Sequence, residues 1–306
     1  MSKRIPLNGS KSGTDVVYQI VPATQASQLV LGSAPSARDC PMAWVLDLDG
    51  VIWLADQPIP GAAEAVAQLQ RTSDPVAFVT NNSYTRRSRV IEKLERHGID
   101  PCDLVFTSAM AAASLIEPES KALVCAGPGV FEELAARGIR TMDVSDDRAQ
   151  SWGADVVVVG FHRHFDYHRM TVASTAVRNG ARLIGTNTDA TYPTPDGPIP
   201  GAGSILASIV TASGVEPTLA GKPHEPIARI VRAALGPTGM VVGDRFDTDG
   251  AFAAVLGYEF GLVLTGVTGV DAVGTDAQGD LVAVDLVAAD LAALVHQALS
   301  SPDGAH

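Results

Sequence analysis

The stretch AWVLDLDGVIW at residues 43–53 decides how this sequence is interpreted, because an apolar run ends directly in two acidic residues. Its first half is typical of a buried strand in a parallel sheet, where strands covered on both faces are continuously apolar. Side chains along a strand repeat their direction every two residues, so Asp47 and Asp49 are expected to project to the same side. Two adjacent carboxylates repel each other unless a cation offsets them. The stretch therefore predicts a strand that leads into an ionic site.

Strand and helix patterns alternate along the chain beyond this stretch. Short β-branched runs at 75–80 and 239–244 are interspersed with amphipathic segments such as 86–97 and 225–235. Such alternation indicates parallel sheets that are covered by helices. The predicted fold class is therefore α/β.

Polar residues follow two further strands of this pattern. TNNS at 80–83 offers hydroxyl, amide and backbone N–H donors that can bind a phosphate, and Asp244 ends the strand at 239–244. Ligands of open α/β sheets bind beyond the carboxyl ends of the strands. Hard oxygen ligands without neighbouring His or Cys favour Mg²⁺ over zinc or copper. Lys222, between a glycine and a proline, adds a cation.

The order and spacing of four motifs resemble the haloacid dehalogenase-like (HAD) superfamily of phosphotransferases. The motifs are DLDGVIW at 47–53, TNNS at 80–83, AGKP at 220–223 and GDRFDTD at 243–249. The phrase GTNTDATYPTPDGPIPGAGS at 185–204 is similar to the NagD and p-nitrophenylphosphatase branch, which carries a type C2a cap. The resemblance implies a Rossmann-like core with a parallel sheet, plus an inserted α/β cap domain.

The resemblance also implies a division of the chain. The N-terminal residues are polar and rich in Ser, Gly and Pro, a composition that predicts disorder. An alternative is that Met42 is the true start, because the ordered pattern begins immediately after it. The predicted segments are a disordered extension at 1–41, a discontinuous core at 42–116 and 217–298, the cap at 117–216, and a tail at 299–306.

The roles of individual residues follow from the resemblance. Asp47 matches the nucleophile that becomes an aspartyl-phosphate, and Asp49 matches the general acid and base. The implied phosphate-binding and substrate-facing residues are Thr80, Asn81, Asn82, Lys222 and Tyr192. The implied metal ligands are Asp47, the backbone carbonyl of Asp49, Asp244, and Asp249 through water.

The resemblance implies a Mg²⁺-dependent phosphomonoester hydrolase that acts on a small phosphorylated metabolite. A phosphotransferase or mutase that uses the same aspartyl-phosphate is an alternative, and a non-catalytic protein that binds such a metabolite is another. The residues do not choose among glycerol phosphate, phosphoglycolate, nucleotides, sugar phosphates and pyridoxal phosphate. A homodimer through the cap is common in relatives and is left open.

Composition limits the partners and the compartment. The 306 residues carry a formal charge of −12, which disfavours binding to nucleic acid or to an anionic membrane surface. The longest apolar runs are far shorter than the roughly 20 residues that a membrane helix needs. Cys40, Cys102 and Cys125 are scattered, which fits a reducing cytoplasm. The pair His162 and His164 is interpreted as part of a polar loop rather than as a metal site.

Overall fold

The structure, a computed structural model, describes residues 42–149, 152–192, 197–268 and 284–300. The predicted disordered extension at 1–41 lies outside these residues, and so does the predicted tail from residue 301 onward. The last helix runs through Ser300, so the start predicted for the tail at residue 299 is wrong. None of the described helices has the length and apolar character that crossing a bilayer requires.

Strands and helices alternate, as the sequence pattern predicted. The described strands are β1 (Ala43–Leu46), β2 (Trp53–Leu54), β3 (Gln57–Pro58), β4 (Val76–Thr80), β5 (Val105–Thr107), β6 (Lys121–Cys125), β7 (Arg140–Asp143), β8 (Val156–Val159), β9 (Arg182–Gly185), β10 (Thr191–Tyr192), β11 (Ile199–Pro200), β12 (Thr218–Leu219), β13 (Gly239–Gly243), β14 (Glu259–Val263) and β15 (Leu286–Ala288). The described α-helices are α1 (Ala62–Leu69), α2 (Arg87–Arg96), α3 (Ser108–Ser114), α4 (Pro128–Ala136), α5 (Tyr167–Arg178), α6 (Ala202–Ser213), α7 (Glu225–Leu235), α8 (Ala251–Leu256) and α9 (Leu291–Ser300). A π-helical turn at Phe246–Gly250 leads into α8.

The larger sheet, here called the core sheet, has β1 near its centre. Its strand order is β15-β14-β13-β1-β4-β5, and all neighbours are parallel. Val45 packs into one buried hydrophobic cluster, and Trp44 and Leu46 pack into a second one on the other face. Because both faces are covered, β1 has no polar position until the chain leaves the sheet at Asp47.

The smaller sheet, here called the cap sheet, has the order β12-β9-β8-β6-β7 and is also parallel. Helices α5 and α6 cover one face through buried residues such as Val172 and Ile209. Val45 of the core sheet and Val124 of the cap sheet belong to one hydrophobic cluster, so the two sheets share a continuous core. Since β12 joins the cap sheet, we propose that the cap extends past residue 216 and ends after β12.

Short elements are where the sequence pattern misleads. The apolar pattern at 287–299 predicts a single helix, but residues 286–288 form β15 beside β14 and α9 starts only at Leu291. A three-residue apolar run has no periodicity that separates a strand from a helix. The segment at 187–203 is rich in Pro and Gly, which predicts a loop, but it also contains the antiparallel pair of β10 and β11. The α/β fold class is confirmed, and these differences concern only short strands and the start of the last helix.

Candidate active site

The carboxyl edges of the two sheets meet at a cavity of about 250 Å³. The core sheet contributes residues that follow β1, β4 and β13, and the cap sheet contributes residues that follow β8, β9 and β12. Each of the sequence-predicted site residues lines this cavity except Asp249, which is fully buried. The lining side chains include Asp47, Asp49, Thr80, Asn81, Asn82, Phe161, Asn187, Asp189, Tyr192, Lys222 and Asp244.

An ion-paired lysine lies at the centre of the site. Lys222 Nζ is 2.8 Å from Asp47 Oδ1 and 2.6 Å from Asp249 Oδ1, and its side chain is only 3% exposed. Burial alone would lower the pKa of the Lys222 ammonium, but the two carboxylates outweigh burial and raise that pKa. Lys222 therefore stays charged beside Asp47.

Three carboxylates lie together around this lysine. Asp47, Asp244 and Asp249 each offer an oxygen atom within 4.8 Å of the others. Burial, together with the charges of Asp249 and Asp47, raises the pKa of Asp244 to about 7. Burial likewise raises the pKa of Asp249 to about 6, although Lys222 opposes it. One lysine does not neutralise this cluster, and a divalent cation would.

Glycines allow the chain to approach Asp244 closely. A Cβ added to Gly50 would lie 2.7 Å from the Asp244 carboxyl, and one added to Gly266 would lie 1.9 Å from its Oδ2. The backbone N–H of Val267 donates to Asp244 Oδ2 at 2.6 Å. The carboxyl is thus fixed in a tight backbone cradle at the end of β13.

The turn after β4 is organised by its own polar side chains. The backbone N–H of Asn82 donates to Thr80 Oγ1 at 3.0 Å. Asn82 Oδ1 accepts from the backbone N–H groups of Tyr84 and Thr85 at 3.0 and 3.1 Å. Thr80 is 2% exposed, so its hydroxyl reaches the cavity only from a nearly buried position.

The Asn81 side chain contacts the backbone of Lys222 on both sides. Asn81 Oδ1 accepts from the Lys222 N–H at 2.8 Å, and Asn81 Nδ2 donates to the Lys222 carbonyl at 3.1 Å. Gly221 permits this contact, because a Cβ there would lie 2.5 Å from Asn81 Oδ1. The Asn81 amide therefore positions the lysine, and this use of the side chain was not evident from the motif.

Two residues that follow β9, and that sequence reasoning missed, complete this network. Asp189 Oδ2 accepts from Asn81 Nδ2 at 3.1 Å and from Asn187 Nδ2 at 2.8 Å. Asn187 Nδ2 also donates to the Asn81 carbonyl at 2.9 Å. Burial raises the pKa of Asp189 above its usual range. Both residues stand in the phrase at 185–204, so that phrase was the signal that pointed to them.

Aromatic side chains form the cap side of the cavity. The rings of Phe161 and Tyr192 stack with centroids 5.0 Å apart, and Tyr84 meets the edge of Phe161 at 5.6 Å. Burial and the charge of Asp49 raise the pKa of the Tyr192 phenol, so its hydroxyl stays protonated. Tyr192 therefore faces the cavity as a neutral side chain.

Asp49 lines the same cavity as Asp47. Its Oδ1 accepts a hydrogen bond from the indole N–H of Trp53 at 3.1 Å. Burial raises the pKa of the Asp49 carboxyl, while Lys93, Trp53 and Lys222 act in the opposite direction. A carboxyl with a raised pKa is suited to carrying a proton.

The two histidines of the predicted polar loop lie at a different pocket. His162 Nδ1 accepts from the backbone N–H of His164 at 3.1 Å, and both line a cavity with Asp143 and Arg169. Within the part of the chain that the structure describes, neither belongs to a group of metal-ligating side chains.

Comparisons with known proteins agree with this geometry. Residues 44–140 match a family model for haloacid dehalogenase-like hydrolases, and residues 219–291 match a HAD-hydrolase-like model. An acid sugar phosphatase from Staphylococcus saprophyticus is 36% identical over 217 residues, which are 68% of this chain and 80% of that protein.

Solved structures are similar over most of the chain. A p-nitrophenyl phosphatase from Archaeoglobus fulgidus has a TM-score of 0.76 and 33% identity, covering 84% of this chain and 99% of that one. A glycerol phosphate phosphatase from Mycobacterium tuberculosis, in complex with magnesium, has a TM-score of 0.73 and 31% identity, covering 82% and 75%.

The chain belongs to the haloacid dehalogenase-like hydrolase family, as the four motifs predicted. It has the family's Rossmann-like core and an inserted α/β cap. The similarity to p-nitrophenyl phosphatases agrees with the branch that the phrase at 185–204 indicated.

Proposed function

We propose that this protein is a Mg²⁺-dependent phosphomonoester hydrolase that acts on a small phosphorylated sugar or polyol through an aspartyl-phosphate on Asp47. The observation that carries the proposal is the cluster of Asp47, Asp244 and Asp249 within 4.8 Å, with Lys222 Nζ 2.8 Å from Asp47. The relatives named as acid sugar phosphatase and glycerol phosphate phosphatase support this substrate class.

The donor set fits Mg²⁺. It consists of carboxylate oxygens from the half-buried Asp47 and the buried Asp244 and Asp249, and Lys222 pairs with only two of them. Excess negative charge would therefore persist at neutral pH without a cation. Asp47, Asp244 and the Asp49 backbone carbonyl would hold the ion, with Asp249 reaching it through water. When bound, Mg²⁺ offsets the repulsion between a carboxylate nucleophile and a phosphate and stabilises the charge that develops on the phosphoryl oxygens.

The protein's own residues account for the remaining chemistry. Asp47 attacks the phosphorus, and Lys222 stabilises the phosphoryl oxygens from its position beside that carboxyl. Asp49 gives a proton to the leaving-group oxygen and then takes one from the water that hydrolyses the acyl-phosphate. Asn81 keeps Lys222 in place through hydrogen bonds to the Lys222 backbone, and Asp189 in turn accepts a hydrogen bond from the Asn81 amide.

The test is phosphate release from glycerol phosphate, sugar phosphates and p-nitrophenyl phosphate, with Mg²⁺ and with EDTA. The proposal expects stoichiometric release that EDTA abolishes and Mg²⁺ restores. Analysis of free phosphate against transfer product separates hydrolysis from the phosphotransferase or mutase alternative. Binding of these compounds without turnover would identify a non-catalytic binding protein instead.

A further inference from the structure

We infer that Trp53 is a positioning residue for Asp49: its indole N–H binds one carboxyl oxygen, so that the other oxygen delivers the proton to the leaving group. The inference rests on the proposed function, in which Asp49 is the general acid. Trp53 Nε1 donates to Asp49 Oδ1 at 3.1 Å, and Trp53 is only 4% exposed. Water therefore does not compete readily for this hydrogen bond.

The backbone brings Trp53 to Asp49 through a closed turn. The N–H groups of Ile52 and Trp53 donate to the Leu48 carbonyl at 2.9 and 3.1 Å, and the Gly50 N–H donates to the Trp53 carbonyl at 2.8 Å. Gly50 has φ +84°, a conformation that favours glycine. The position of the indole relative to Asp49 is thus set by the turn itself.

Neighbouring side chains restrict the indole ring further. Lys93 Nζ lies 4.1 Å from the centroid of the Trp53 ring and donates to the Ala55 carbonyl at 2.6 Å. A cation over an aromatic face is attracted to it, and this contact favours one orientation of the ring. The position of Trp53 is therefore restricted both by the hydrogen bonds of its backbone and by the contact of Lys93 with the face of its ring.

The hydrogen bond has a specific consequence for proton transfer. Because the N–H occupies Oδ1, the transferable proton of Asp49 belongs on Oδ2. As the bond between Asp47 and phosphorus forms and the bond from phosphorus to the leaving oxygen breaks, that oxygen takes the electron pair and the Oδ2 proton. Asp49 becomes a carboxylate, and the Trp53 N–H stabilises its new charge.

The substitution Trp53→Phe tests this, because it removes the donor and keeps an aromatic ring. Alkoxide leaving groups need a proton, whereas p-nitrophenolate leaves without one. We expect kcat/KM for glycerol phosphate to fall about tenfold and that for p-nitrophenyl phosphate less than about threefold. An equal fall for both substrates, or no fall for either, would overturn the inference.

Trp44→Phe is the matched control. Trp44 is 1% exposed, and its Nε1 has no hydrogen-bond partner among the described residues. Its replacement removes a buried indole without removing a donor to Asp49, so the ratio of the two kcat/KM values should stay at the wild-type value. A changed ratio here would show that general loosening of the core produces the effect.

Two further variants keep the test decisive. In an Asp49→Asn background, Trp53→Phe should add no further loss, since Trp53 acts through Asp49. If Trp53→Phe does not fold, an isosteric tryptophan analogue with sulfur in place of the N–H carries the same test. Wild-type protein that hydrolyses neither substrate would contradict the proposed function, a result distinct from failure of this inference.

Discussion

The two sheet edges that meet at the cavity differ sharply in chemistry. The core edge carries Asp47, Asp244 and the buried Asp249. The cap edge carries the neutral Phe161 and Asn187 and a single carboxyl, Asp189, which accepts hydrogen bonds from amide side chains. Lys222 lies between the two edges, just after β12 of the cap sheet, and its ammonium forms ion pairs with Asp47 and Asp249. In the proposed reaction, the core edge therefore supplies the reacting carboxylates, and the cap edge positions Lys222 and contacts the leaving group.

The comparison predicts its largest effect for the nucleophile. Asp47→Asn keeps the shape of the side chain but removes the nucleophilic carboxylate, so turnover should fall to below about one percent of wild type. Phosphate release with any active substrate measures this, and circular dichroism verifies the fold. Activity above that level would mean that Asp47 is not the nucleophile.

The next effect concerns the metal. Asp244→Asn removes one of the three clustered carboxylates. Because it is assigned as a direct ligand, the Mg²⁺ concentration for half-maximal activity should rise by about a hundredfold. Asp247→Asn is a suitable control, since Asp247 is on the same segment but pairs with Arg245. Equal Mg²⁺ dependence in both variants would break the assignment.

Substitution on the cap edge should have a smaller effect. Asp189→Ala removes the acceptor of two amide hydrogen bonds, and kcat/KM should fall about tenfold because Asn81 no longer fixes Lys222. Asp189→Asn keeps an acceptor oxygen and should restore most of the activity. Thr188→Ala, at the exposed position next to Asp189, is the control that should leave activity at wild type.

Stability should respond to pH and Mg²⁺ together. In the folded, metal-free protein the pKa of Asp244 is about 7 against an ordinary 3.8, so between these values the folded state holds a proton that the unfolded state has lost. Stability should therefore fall as pH rises through this window. Mg²⁺ binds the deprotonated carboxylates, so the rise in Tm on adding Mg²⁺ should be larger at pH 8 than at pH 5. A Mg²⁺ effect that is the same at both pH values would contradict this.

The smallest effect is expected at the aromatic wall. Tyr192→Ala removes the partner that stacks on Phe161 at 5.0 Å, and KM should change by about two- to tenfold. The ratio of KM values for glycerol phosphate and p-nitrophenyl phosphate measures selection of the leaving group. Tyr167→Ala, 79% exposed elsewhere on the cap, should leave this ratio unchanged.

Local patterns in the sequence were sufficient to single out the residues that we propose react. The apolar strand that ends at Asp47, and the two-residue repeat that aligns Asp49 with it, are properties of adjacent residues. Lys222 and Asp244 were singled out by their own motifs, and the fold brings them to the same cavity. The α/β class followed from alternation that extends over the whole described chain.

Hydrogen bonds between residues that are far apart in the sequence could not be predicted from local sequence patterns. Asn81 bonds the backbone of Lys222, which is 141 residues away, and Asp189, which is 108 residues away. An Asn or Asp in the sequence does not by itself indicate a hydrogen bond to a distant residue, because both residue types are common in turns. The Trp53 hydrogen bond depends on turn closure, which the stretch at 43–53 does not reveal.

The central claim is that Asp47 forms an aspartyl-phosphate during hydrolysis. Protein that is turning over substrate with Mg²⁺ can be quenched in acid, reduced with borohydride and digested for mass spectrometry. We expect residue 47 to be converted to homoserine only when substrate is present, and Asp49 to remain unmodified. Turnover without modification of residue 47, or modification at another carboxylate, would contradict it.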